Sequence, residues 1–188
     1  MVKLIEFTTE RLFLRQWKES DRQHFATMSA DPEVMEFFLA PLNDAESNAM
    51  VDRCQGLIAE RGWGFWAVEL KQSGQFIGLV GLHIPTAELP FSPCVEIGWR
   101  LAKPFWGQGY ATEAAQGALR VGFEQLGLEE IVAFTAVINQ RSQAVMKKLG
   151  MQPAADNFDH PAVEAGHPLR RHCLYTLSRS QWLALDNQ

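Results

Sequence analysis

Val95–Ala115 reads VEIGWRLAKPFWGQGYATEAA: an extended apolar run, a turn with a proline and two glycines, then alanines at helical spacing. The turn, Phe105–Thr112, opens directly into a helix. A helix start carries unpaired backbone N–H groups and the positive end of the helix dipole, which together suit a phosphate. Gly107 and Gly109 remove side chains where a ligand would meet the backbone. Two nucleotide fingerprints fail here. A Walker A loop requires Lys-Ser or Lys-Thr after its glycines, and none follows. The dinucleotide fingerprint requires Gly or Ala where Thr112 stands, and it belongs after the first strand of its unit. A tight connection that binds nothing would use the same Gly-x-Gly fragment.

Outward from the turn, Gln108–Leu126 is predicted as a long helix with Ala111, Ala114, Ala115, Ala118, Leu119 and Phe123 on one face. Small residues there let the helix lie close to a sheet. Val95–Leu101 is a strand, as are Phe65–Leu70 and Phe76–Ile84 before it and Ile131–Val137 and Arg170–Leu177 after it. Leu4–Trp17 is an extended segment. Ser20 is expected to cap a short helix, and Asn43 with Glu46 to form a capping box on a second that stops near Gly62. Asn139 is expected to cap a last helix, with Gly150 just past its end. Strands before and between helices give a mixed α/β sheet. No repeat or linker interrupts the pattern, so residues 1–188 are expected to form one domain.

The formal net charge is −5 with the charges interspersed, which excludes the concentrated basic face of a nucleic-acid binder. No apolar run approaches the roughly 20 residues that span a bilayer, and no signal peptide begins at Met1–Ile5. Cys54, Cys94 and Cys173 are odd in number and far apart, as expected of reduced core thiols in a cytoplasmic protein.

Val95–Ala115 resembles motif A of the GNAT acetyltransferase superfamily, whose pyrophosphate turn reads [QR]-x-x-G-x-[GA]. Gly109 stands at the glycine and Ala111 at the final small position, while Trp106 replaces the leading Gln or Arg. That tryptophan is similar to the RimJ/RimL-like branch, the ribosomal-protein N-terminal acetyltransferases. Asn139–Met151 resembles motif B, and TERLFLR at Thr9–Arg15 resembles the first strand of the same branch. The resemblance implies the GNAT fold, a mixed, mostly antiparallel sheet splayed between two central strands and flanked by helices. It implies acetyl-CoA as cosubstrate. The pantetheine would lie on Trp99, Arg100 and Leu101, and the pyrophosphate on Trp106, Gly107, Gln108, Gly109, Tyr110, Ala111 and Thr112. Asn139 would reach the pantetheine from the far side of the splay; a plain helix cap is its other reading.

The implied reaction is attack of a primary amine on the thioester, with no covalent enzyme nucleophile, which leaves Cys94 a core thiol. A protonated amine cannot attack, so a base or water path must take its proton. Glu96, on the strand leading to the splay, is the candidate base; a structural glutamate on that strand is the alternative. Glu113 is expected to serve the helix dipole. Met146 stands where many members carry a tyrosine acid, which makes Ser142 the substitute, with Tyr110 and Tyr175 behind it. The acceptor would be a protein N-terminus or a small-molecule amine, and the assembly a monomer or homodimer without nucleic acid or membrane. A GNAT-like domain that binds CoA without turnover is the alternative, favoured by the missing tyrosine alone.

Asp156–Pro168 is a long connection between the two last strands, of the kind that usually has a function. His160 and His167 in it are candidates to bind the acceptor. With His172 they invite a metal reading, but their spacing matches no common zinc pattern and no metal is expected.

Overall fold

Nine short strands and five helices form along the chain, in a mixed and mostly antiparallel sheet. The computed structural model describes residues 1–188. Internal contacts gather in two units, Met1–Leu82 with Gly98–Ala118, and His83–Ile97 with Leu119–Gln188. No helix is long and apolar enough to cross a membrane.

In the first unit β1 (Phe7–Thr8), β2 (Leu12–Arg15), β3 (Phe65–Leu70) and β4 (Phe76–His83) pair antiparallel in chain order. The end of β5 (Glu96–Leu101) follows beside β4. A Cβ on Gly78 would collide with the Arg100 carbonyl, so only glycine lets these backbones approach there. Leu12, Leu14, Trp66 and Val68 are sealed in the core, with Phe25 of α1 (Asp21–Ala30) and Ile58 of α2 (Asp44–Arg61). The Asn43–Glu46 capping box forms as expected, and α2 ends on Gly62 in the left-handed region at φ 90°. Ser20 does not cap α1: its backbone is already helical and its side chain makes no cap bond. Asp21, the first residue of the helix, accepts the Lys18 N–H ahead of it at 2.7 Å and both terminal nitrogens of Arg15 at 2.8 and 2.9 Å.

In the second unit β6 (Glu130–Ala136) runs antiparallel to β9 (Arg171–Ser178), which also pairs with β7 (Gln152–Pro153) and β8 (Phe158–Asp159). The start of β5 is parallel to β6, and their register holds at Glu96↔Val132 alone, as expected where two strands part. Asn139 caps α4 (Gln140–Lys148) as expected. Two boundaries differ from the predicted ones. The long helix α3 (Tyr110–Arg120) begins two residues late because Gly109 is left-handed, at φ 80°. Its end widens into one π turn, Val121–Gln125. A fifth helix, α5 (Arg179–Asp186), was not predicted. Ser178 and Gln181 form a capping box at its start, and Trp182 stacks on Phe123 at 5.2 Å.

Candidate active site

The turn between β5 and α3 is built within the first unit. A single 3₁₀ turn, Lys103–Phe105, leads to Trp106, whose Nε1 donates back to the Leu101 carbonyl at 2.8 Å. Gly107 and Gly109 follow at φ 72° and 80°, and nothing lies within 4 Å of where a Cβ on Gly107 would stand. The first helical bond of α3 runs from Glu113 N to Gly109 O at 3.0 Å. The N–H groups of Tyr110, Ala111 and Thr112 therefore have no carbonyl within the helix to donate to.

The segment before β2 holds this turn in place. Arg11 donates from Nη1 to the Gln108 carbonyl at 2.9 Å and from Nε to Glu113 at 2.7 Å, and its guanidinium stacks 4.3 Å from the Tyr110 ring centroid. The second Glu113 oxygen accepts the Arg11 backbone N–H at 2.9 Å and the Thr9 hydroxyl at 2.5 Å. Burial alone would raise the Glu113 carboxyl, but these bonds outweigh it and hold the group below its ordinary value. Glu113 is thus tied to Thr9 and Arg11 and is more than a helix-dipole partner. The Thr9–Arg11 brace was missed from the sequence; its members lie about a hundred residues from Glu113, and no local spacing marks it.

The second unit carries the other candidates. Glu96 is half-buried, with no hydrogen bond or ion pair, and burial pushes its carboxyl up to about 8. Its register partner Val132 sets it on the sheet face that also carries Phe134, Phe158 and His172. Tyr175 and Cys173 fall on the opposite face, and the Tyr175 hydroxyl points to Gln143 at 3.4 Å. Asn139 accepts from Ser142 N at 3.2 Å and donates to the Thr135 hydroxyl at 2.9 Å, which places Ser142 half-buried in the first turn of α4. Met146, at the tyrosine position, is sealed in the core. Cys94 is half-buried, not the core thiol expected, and burial with nearby Glu96 and Glu130 keeps it protonated.

The 156–168 segment is more ordered than expected of an open connection. β8 pairs with β9 inside it, and His160 N donates to Arg170 O at 2.9 Å. This brings His160 to 4.9 Å from His172, between centroids, among Phe91, Phe134 and Phe158. His167 stays apart: its Nδ1 accepts the Leu169 N–H at 3.0 Å, as Asp-like turn side chains do. Burial lowers both His160 and His172, and His160 adds repulsion to His172.

A family model described as an acetyltransferase (GNAT) domain matches residues 11–152. The FsC-acetyl coenzyme A-N(2)-transacetylase of Aspergillus fumigatus is 32% identical over 192 residues, covering 95% of this chain and 78% of that protein. A GNAT-family acetyltransferase from Bacillus anthracis shares the fold at TM-score 0.78 and 23% identity, over 94% of this chain and 99% of that one. RimL, an acetyltransferase of ribosomal L7/L12 in complex with coenzyme A, does so at TM-score 0.73 and 18% identity, over 93% and 98%.

Proposed function

This chain belongs to the GNAT acetyltransferase family, and from that premise we propose that it passes the acetyl group of acetyl-CoA to a primary amine by direct attack on the thioester. That it is an N-acetyltransferase follows from the family. The observation that carries the finer reading is the braced turn, with two left-handed glycines, open space over Gly107 and unpaired N–H groups on α3. These residues fit a pyrophosphate, held on the backbone from Trp106 to Thr112, with the pantetheine on the backbone of Trp99–Leu101 and on Asn139. The bound thioester supplies an activated acyl group and a thiolate that leaves readily.

The chain's own groups do the rest. Glu96 takes the amine's proton, directly or through water; its proton-accepting form gains as pH rises through about 8. Ser142 gives a proton to the departing sulfur. His160 and His167 contact the acceptor, and the ring cluster around His160 on the Glu96 face supports the first of these more than the second. The likeness to RimL favours a protein N-terminus as acceptor, and the name of the A. fumigatus N(2)-transacetylase fits transfer to an amine nitrogen. A cytoplasmic setting accords with three free thiols.

Release of free thiol from acetyl-CoA with a panel of primary amines tests the activity. No release with any amine contradicts it. The brace gives a second test. Arg11→Ala should raise the KM for acetyl-CoA about tenfold or more, the worth of a charge-assisted hydrogen bond, and leave the circular dichroism spectrum unchanged. Arg11→Lys should not restore it, because an ammonium lacks the fork that reaches Gln108 and Glu113 together. An unchanged KM in the alanine variant would show that the turn keeps its shape alone.

A further inference from the structure

β5 carries a guanidinium that no carboxylate neutralises. Arg100 is half-buried and makes no ion pair; its Nε is sealed from solvent and has no hydrogen-bond partner. Its polar contact is Nη1 on the Met50 sulfur at 3.6 Å, a weak acceptor. On the Nε and Nη2 edge, the fork that grips a carboxylate, Nε has no partner. The surroundings are apolar. Cζ lies 4.3 Å from the Phe38 ring centroid and 5.8 Å from Phe25. Cys54 adds no charge, because burial pushes its thiol up to about 11. Three other arginines of the same unit are paired, Arg11 with Glu113, Arg15 with Asp21 and Glu69, and Arg22 with Glu19 and Asp52. A half-buried cation with no counter-charge costs stability until something supplies one. The cover over it is thin: Phe38, stacked on the guanidinium, is 44% exposed and Leu39 beside it 60%.

We propose that Arg100 receives an anionic group of the acceptor, a carboxylate, so that the preferred substrate is an amino-acid-like amine whose apolar body packs against Phe25, Phe38 and Met50. The inference rests on the acetyl-transfer reading above. Phe38 is the side chain the entering carboxylate displaces, which uncovers the sealed Nε so that it and Nη2 can each donate one hydrogen bond.

Phenylalanine and phenethylamine differ only in the carboxylate, and thiol release with each measures its worth. The wild type should favour phenylalanine in kcat/KM by about ten- to hundredfold, as expected for hydrogen bonds to a charged group. In Arg100→Met that ratio should fall toward one, and in Arg100→Lys part of it should survive. A binding arm needs no turnover. Hydrocinnamate should raise the melting temperature of the wild type and not of Arg100→Met, while the unliganded Met variant should melt higher than the wild type. A merely structural arginine gives the reverse, a less stable variant with an unchanged ratio. That result, or a wild type without preference, overturns the proposal. If no amine releases thiol, the acetyl-transfer reading fails, and the hydrocinnamate shift still decides whether Arg100 takes a carboxylate.

Discussion

Replacing Glu96 with glutamine is expected to lower turnover by about a hundredfold to ten-thousandfold, the usual contribution of a general base, while coenzyme A binding is kept. Glutamine has the same size, and Glu96 makes no hydrogen bond or ion pair to lose. The pH dependence separates a base from a structural residue. With its carboxyl pushed up to about 8 by burial, Glu96 is the neutral acid at low pH, so wild-type kcat/KM should climb as pH rises through about 8. The variant should lack that limb, and part of its deficit should be recovered at high pH, where solvent deprotonates the amine. Stability should move in the opposite sense. A carboxyl whose folded pKa lies above its ordinary 4.5 favours folding when protonated, a benefit complete below 4.5 and lost as pH rises through about 8. The melting advantage of Glu96→Gln over the wild type should therefore grow between pH 5 and pH 9. A glutamate serving a structural ion pair predicts a variant that melts lower at high pH, with turnover unchanged.

Removing Asp21 should damage the fold heavily. Arg15 is 3% exposed and Asp21 2%, and the pair is bidentate. Asp21→Ala strips the buried guanidinium of that partner and leaves the Lys18 N–H without its acceptor. Breaking a buried pair in this way costs about 3–5 kcal/mol; the lower end is expected because Glu69 still accepts from Arg15 Nε at 2.6 Å. Urea denaturation measures it. Adding Arg15→Met should recover much of the loss, since an apolar pair avoids the unpaired charge. A loss below about 1 kcal/mol in Asp21→Ala, within the range of an exposed pair, would mean the cluster is solvated.

Local rules carried the sequence reading a long way. The Asn43 capping box, the left-handed Gly62, the alanine face of α3 and the strands around Val95–Leu101 depend on neighbours within a few residues, and spacing exposes them. The Gly107–Gly109 turn into α3 was readable for the same reason, since its glycines and its helix are contiguous. What was missed needs distant partners. The Thr9–Arg11–Glu113 brace, the meeting of His160 with His172 across β8 and β9, and the lone Arg100 guanidinium have no signature in spacing. α5 is different: Ser178 and Gln181 carry a capping-box signal three residues apart, and Trp182 supplies its buried anchor.

Whether Trp106–Thr112 binds the coenzyme A pyrophosphate through its backbone is decided by calorimetric titration of coenzyme A into the wild type and Gly109→Val. At φ 80° a β-branched residue is strained, and its Cβ would meet only the tip of Arg11, at 3.4 Å, so the turn should rearrange while the fold persists. Measurable binding to the wild type is expected, with an affinity at least about tenfold weaker in a variant with an unchanged circular dichroism spectrum, given the roughly 1–2 kcal/mol or more that this backbone region costs a non-glycine residue. Equal affinity in a folded Gly109→Val would contradict it.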